Sequence, residues 1–251
     1  MIKSLLLTTM VAANTVNASL IAQYSFDAPA ARYEDVSANA YNGAGVGTVT
    51  FASGASGDAM SVAAAGKMVY SAGAGIPVNL ADFTLSFWAT DSSTSWDSWV
   101  EMNAEAGGAE VGIHVQSTGA DGVAVYNADG GAPIAGYASG TLNYGSALAT
   151  GFNHIALTAS GGTARLYVGG IERSNAAWTV GSNLGLLSVG GLFRDAVRNV
   201  SAQVDDVQIY DTGLAPTDIA FLAANPGIAV PEASSGVLAA LGLLLMLRRR
   251  S

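Results

Sequence analysis

No cysteine occurs among the 251 residues, which excludes disulfide staples, thiol catalysis and thiolate metal sites. Histidine is nearly absent too: His114 and His154 are the only two, so imidazole-based acid–base chemistry must run through one of them. Positive charge is scarce. Removing Lys3 and Arg248 to Arg250 from the 10 basic residues, and Glu232 from the 19 acidic ones, leaves 6 against 18 between the termini, a net of −12. Such a body has no basic stripe and repels phosphate backbones and anionic lipid, so no nucleic-acid partner is expected. Long apolar runs are missing as well. The longest reach at the C-terminus, Gly236 to Leu247, has 12 residues, short of the roughly 20 that a membrane-crossing helix needs.

Half of the residues are nevertheless apolar, enough for a sizeable core, and sandwiches of roughly 200 to 250 residues are commonly one domain. At the N-terminus, Lys3, the apolar run Ser4 to Ala13 and the small-residue site Val16-Asn17-Ala18 have the three-part order of a secretory signal peptide. Residues 1–18 are therefore expected to be removed on export. At the other end, Val230-Pro231-Glu232-Ala233, the apolar run and Arg248-Arg249-Arg250 resemble a bacterial PEP-CTERM sorting signal, with Ala233 where that family has its second proline. The resemblance implies a transient membrane anchor, a sorting protease of the exosortase type, and delivery to the cell surface or extracellular matrix. The arginines fit the positive-inside pattern.

Between these signals the chain alternates apolar and polar residues with period two, as half-buried strands do. The alternation appears at Leu20, Ala22, Tyr24 and Phe26, at Phe83, Leu85 and Phe87, and at Val111, Ile113 and Val115. It recurs at Val123 and Val125, Ile155 and Leu157, Leu166 and Val168, and Val207 and Ile209. Gly- and Asp/Asn-rich turns separate the runs, which predicts an all-β sandwich of two antiparallel sheets. One short helix is expected at Pro216 to Ala224, with Pro in its first turn and Asp218 at its positive end. The predicted division is residues 1–18, a domain over 19–226, a linker over 227–235 and the apolar tail with its arginines over 236–251.

The order of the segments is similar to a laminin G-like jellyroll of the concanavalin A-like superfamily. LIAQYSFD at Leu20 to Asp27 and DVSAN at Asp35 to Asn39 resemble its opening, and FTLSFW at Phe83 to Trp88 its central strand. FNHIALT at Phe152 to Thr158 and RLYVGG at Arg165 to Gly170 resemble its hairpin, with Phe152 and Gly169 in place of the usual Trp and Asn. LSVGG at Leu187 to Gly191, VDDVQIYD at Val204 to Asp211 and a closing helix complete the series.

Fold alone does not assign function. No serine stands in a Gly-x-Ser-x-Gly context, so a serine hydrolase is not expected. Glucanases of the superfamily align carboxylates at alternating positions of one strand; here Glu101 and Glu105 share parity but Asn103 interrupts them. Catalysis is therefore not the expected function. The Gly43 to Gly47 run precedes strand-forming residues rather than a helix, and reads as a turn instead of a nucleotide loop.

Two candidate sites remain. If Val207 and Ile209 face the core, Asp205 points with them and needs either a cation or backbone N–H groups. Asp27, Asp35 and Asn39 are further oxygen donors, and the set suits Ca²⁺; the laminin G-like resemblance implies calcium at such a location. The second site is Trp96 and Trp99, expected in a turn whose rings stack on sugars, with Asp97 and Asn103 bonding hydroxyls. Each of these side chains also fits a buried loop position. Tyr126, Tyr137, Tyr144 and Trp178 could extend the surface. The expected function is a surface-sorted module that binds a polysaccharide or matrix glycan, against a structural matrix component or, less favoured, a glycoside hydrolase.

Overall fold

The computed structural model describes residues 18–62, 66–70, 75–92, 95–103, 112–118, 122–127, 136–193, 198 and 200–231. The expected signal peptide and the C-terminal apolar segment lie outside these residues. No helix among the described residues is long and apolar enough to cross a membrane.

The strands are β1 (Leu20–Tyr24), β2 (Ala44–Val46), β3 (Val49–Ser53), β4 (Asp58–Val62), β5 (Lys67–Tyr70), β6 (Phe83–Thr90), β7 (Ser95–Asn103) and β8 (Gly112–Thr118). They continue as β9 (Val123–Asn127), β10 (Asn143–Tyr144), β11 (Phe152–Ser160), β12 (Thr163–Val168), β13 (Ile171–Ala177), β14 (Leu186–Val189) and β15 (Ala202–Tyr210), and helix α1 (Pro216–Ala224) comes last. One sheet runs β13-β12-β11-β6-β15-β4-β3, with β1 also paired to β15, and the other runs β10-β9-β8-β7-β14-β5-β2. Neighbours in sequence are often apart in the sheets, and every named pairing is antiparallel, as in a jellyroll sandwich.

The alternation read from the sequence decides which face is inside. Phe83, Leu85 and Phe87 of β6 pack with Ile155 and Leu157 of β11, Val207 and Ile209 of β15, and Ile113 and Val115 of β8 in one core between the sheets. Thr84, Ser86 and Trp88 take the opposite face of β6, because successive strand side chains point to opposite sides. Across that outer face lies α1. Its Ile219 and Leu222 pack on Ala156, Tyr167, Tyr210 and Leu214 in a second, smaller cluster. The helix begins as the sequence predicts, with Pro216 in its first turn and Asp218 near its positive end. Gly43 to Gly47 covers β2 and the turn into β3, where Gly47 has φ 71°.

Strand β15 changes its neighbour midway. Ala202 to Val204 pair with β4, whereas Val207 to Tyr210 pair with β1. The register against β6 shifts between Asp205 and Gln208, and Asp206 sits in the left-handed region with φ 47°. The shift is a β-bulge, and it carries both aspartates.

Candidate functional site

The most irregular strand is β7. Its pairing with β8 shifts between Ser95 and Ser98 and again between Ser98 and Val100. A tryptophan accompanies each shift, and the two separate completely. Trp96 has φ 73° and is 48% exposed, whereas Trp99 is fully buried in the main core and donates its Nε1–H to Thr90 O at 3.2 Å. The expectation of one shared platform in a turn is thus corrected: the segment is a bulged strand, and Trp99 belongs to the core. Asp97 is corrected likewise, since it is buried and accepts a hydrogen bond from Ser92 Oγ at 3.1 Å. Asn103 ends β7, and its side chain is outside the described part of the structure. Tyr137 and Trp178 are also core residues, and Tyr144 lies under the Arg173 guanidinium at 4.8 Å.

Trp96 does not stand alone. Its ring meets that of half-buried Tyr126 at 5.0 Å in an edge-on arrangement. Tyr126 lies directly across from His114, His114 from Glu101, and Glu101 from Ser188, so four adjacent strands place one residue each in a row on the outer face of the seven-stranded sheet. Beside this row Ser98 faces Gln116. His114 and Gln116 are 2% and 1% exposed, yet neither imidazole nitrogen of His114, neither amide atom of Gln116 and not the Ser98 hydroxyl has a hydrogen-bond partner. Burial, reinforced by the Arg198 charge, holds His114 neutral by pushing its pKa down to about 4. Glu101 accepts from the Phe193 N–H, and Lys67 Nζ donates to Leu192 O and to Phe193 O.

Each unmade hydrogen bond of a buried polar group costs about 1–3 kcal/mol, and a bulky residue in the left-handed region is strained by about 1–2 kcal/mol. The outer face therefore holds buried polar groups without partners next to an exposed, strained aromatic. The polar parity of His114 and Gln116 was visible in the sequence; their burial without partners was not, because it depends on strands far away in the chain.

The acidic residues form a cluster at the β15 bulge, differently composed from the set expected. The bulge breaks the parity argument: Val204 faces the core opposite Ala89, and Asp205, opposite Trp88, does not. Asp205 Oδ2 accepts from the N–H groups of Ala55 and Ser56 at 2.8 and 3.1 Å, and Oδ1 from the N–H of Asp206 at 2.8 Å. Asp206 is buried, and neither of its carboxylate oxygens has a partner at hydrogen-bond distance. Burial pushes Asp205 up to about 7 despite its three N–H donors, and pushes Asp206 up to about 8, aided by the charges of Asp205 and Asp27. The nearby Gly227 N–H offsets part of the rise at Asp206 without closing a hydrogen bond to it.

Asp27 Oδ1 accepts from the Asp58 N–H at 2.7 Å. Three glycines wall the cluster. A Cβ on Gly54 would come within 2.3 Å of Asp205 Oδ2, one on Gly57 within 1.9 Å of Asp27 Oδ1, and one on Gly227 within 3.6 Å of Asp206 Oδ1. Asp35 and Asn39 do not join them. Asp35 accepts from the N–H groups of Gln23, Ser37 and Tyr41, and Asn39 Nδ2 donates to Ile21 O at 2.9 Å, so both tie the opening turn to β1. Among the described residues no group of three or more acidic or imidazole side chains is placed to hold a metal ion.

A two-sheet antiparallel jellyroll with a polar, aromatic-edged outer face defines a lectin-like sandwich. Residues 42–220 match the Laminin_G_3 family, described as the concanavalin A-like lectin/glucanases superfamily, and the chain belongs to that family. No curated protein matches the chain in sequence. Among solved structures, domain 4 of AbnA, a GH43 extracellular arabinanase from Geobacillus stearothermophilus in complex with arabinotriose, is 18% identical with a TM-score of 0.65, covering 82% of this chain and 99% of that one. The binding domain of botulinum neurotoxin serotype G is 12% identical with a TM-score of 0.57, and the match covers 82% of this chain and 50% of that one. Trypanosoma rangeli sialidase in complex with sialic acid is 16% identical with a TM-score of 0.58, over 82% of this chain and 32% of that one. At these identities the likeness is one of fold.

Proposed function

We propose that the domain is a non-catalytic glycan-binding module whose contact surface is the aromatic edge of the seven-stranded sheet's outer face, with exposed Trp96 and half-buried Tyr126 stacking on a sugar ring above the buried polar row of His114, Gln116 and Ser98. The observation that carries this reading is the exposed Trp96 ring, held outward at φ 73° and paired edge-on with Tyr126. The similarity to an arabinanase domain solved with arabinotriose makes arabinan a first probe. The net −12 favours neutral or cationic chains over anionic ones. Glycoside hydrolysis requires two carboxylates about 5–9.5 Å apart, and among the described residues Glu101 is the one carboxylate in the row.

Titration with neutral polysaccharides by calorimetry is expected to show weak, saturable binding. Trp96→Ala should abolish it, and Tyr126→Ala should weaken it about tenfold, since ring stacking on an aromatic carries much of the energy at such a surface. Absence of binding across arabinan, xylan, glucan and chitin oligosaccharides, or binding indifferent to Trp96→Ala, removes the assignment. Reducing-sugar release in the same samples would instead place the domain among the hydrolases.

Calcium belongs to the same proposal. The orphan carboxyl of Asp206, with Asp27 and Asp205 close by, offers carboxylate oxygens of the kind a hard cation takes. Metal-stripped protein should gain several degrees of melting temperature at millimolar Ca²⁺, because a ligand that binds the folded state alone stabilises it by mass action. Asp206→Asn, tolerated at φ 47° since Asn accepts the left-handed region, should retain the fold and lose most of that gain. Equal melting curves with Ca²⁺ and with chelator would leave Asp205 as a backbone staple only.

Export fits the first strand. Cleavage after Ala18 would leave the new ammonium on the Ser19 nitrogen, which already donates to Asp211 Oδ1 at 2.9 Å. We take the chain to be exported and sorted to the cell surface or matrix through its C-terminal signal.

A further inference from the structure

Trp96 and Tyr126 form one end of a longer surface track. The Tyr126 ring covers Gly140, where a Cβ would lie 3.5 Å from ring atom Cε1. Gly140 O accepts from Asn143 Nδ2 at 3.1 Å, and Asn143 opens β10, the strand that ends the order of the seven-stranded sheet. Here the edges of the two sheets meet. The Asn143 N–H donates to Ser174 Oγ at 2.9 Å, and Ser174 belongs to β13, the strand that ends the order of the other sheet. Beside that bond the exposed Arg173 guanidinium stacks 4.8 Å from the centre of the Tyr144 ring. A Cβ on Gly145, the next residue, would meet no atom within 4 Å, so the edge is open next to the stack.

A bulge puts Arg173 there. Leu166 of β12 pairs with Ser174 and Tyr167 with Glu172, which leaves Arg173 as the extra residue, and a bulge re-aims the side chain it carries. The neighbouring charges are already engaged: Glu172 accepts from Asn175 Nδ2 at 2.9 Å and pairs with Arg165 Nε at 3.5 Å. Among the described residues the Arg173 guanidinium has no hydrogen bond and no ion pair, although acidic residues outnumber basic ones 18 to 6 between the termini. A guanidinium stacked on an aromatic ring keeps its N–H edge free for a planar anion, which it holds bidentately.

We propose that Arg173, stacked on Tyr144, is a carboxylate-reading subsite at the far end of the glycan track, so that the domain selects an otherwise neutral polysaccharide carrying isolated acidic sugars. The inference rests on the glycan reading at Trp96 and names the class of chain. Asn143 pairs with Ala124, two residues from Tyr126 and about 7 Å along β9, so one oligosaccharide can reach from the aromatic pair to the edge. The net −12 of the body repels a polyanion, whereas a single carboxylate set down at Arg173 meets a guanidinium with all its N–H donors free.

The test is calorimetry on the full chain at low salt with arabinan, xylan, glucan and chitin oligosaccharides, each supplied unsubstituted and with one glucuronate branch. In a pair that binds, the branched member should bind about three- to tenfold more tightly, the range of a solvent-facing bidentate pair, and the ratio should shrink towards one at about 0.5 M salt. Arg173→Gln, an exposed substitution, should bring the ratio to one at low salt as well. If the two members bind the wild type equally, or if the preference survives Arg173→Gln, the subsite is overturned while binding that depends on Trp96 keeps the glycan reading. If no member of any pair binds, both readings fall.

Discussion

Trp99→Ala is expected to cost about 3–5 kcal/mol of folding stability, the range for truncating a buried tryptophan, whereas Trp96→Ala should change it by less than about 0.5 kcal/mol. The two residues lie three apart on one strand, and composition does not distinguish them. Trp99 is fully buried and its indole N–H is bonded to Thr90 O, so truncation leaves a cavity and removes that hydrogen bond. Trp96 is 48% exposed with φ 73°, so Trp96→Gly should stabilise the fold by up to about 1 kcal/mol, since glycine adopts that conformation without strain. Denaturant unfolding of the three variants checks the set. Comparable losses for both alanine variants would mean that Trp96 is also core, and the binding face would lose its aromatic edge.

The second large effect is an acid limb set by the histidines. His154 is buried on the outer face of the other sheet, with Nε2 2.9 Å from Ser86 Oγ and no partner for Nδ1, and its ring meets that of Trp88 at 5.4 Å in a tilted, edge-to-face arrangement. Burial pushes its pKa from 6.5 down to about 4. A group whose folded pKa is depressed in this way is neutral in both states above 6.5. Below that the unfolded chain takes up the proton first, so stability falls from about pH 6.5 to about pH 4, by about 3 kcal/mol for one histidine. Asp205 and Asp206 act in the opposite sense in metal-free protein, because their raised values let the folded state bind protons first as pH falls through about 8 and 7. The histidine contribution is therefore best read as a difference. His154→Gln, which can still reach Ser86, should flatten the decline between pH 6.5 and 4 by up to about 3 kcal/mol relative to the wild type. Parallel curves would show that His154 titrates normally.

The sandwich was legible because its signal is local. The alternating runs named from the sequence and lying within the described residues became strands or their flanks with the expected face inward, from Ala22 and Tyr24 to Val207 and Ile209, save that a register shift before Ala22 turns Leu20 to the outer cluster under α1. The helix at Pro216 to Ala224 was legible from its proline and its stop. Site residues were legible only in part. Asp35 and Asn39 have the residue types of metal ligands, but the N–H and C=O groups of β1 and the adjoining turn claim them first. Trp99 and Asp97 have the types of a sugar platform, but bulges turn them inward.

By itself the sequence determined the strand parities, the polar outer faces, the acidic surface and the order of segments that identifies the family, because side-chain alternation and turn chemistry act over a few neighbouring residues. Only the tertiary structure decided where alternation breaks. Strand β15 bulges at Asp205 and Asp206 where its partner changes from β4 to β1, and β7 bulges twice against β8, so Trp96 turns outward and Asp206 is buried without a partner. A bulge is a mismatch between two strands, and neither strand's residues alone record it.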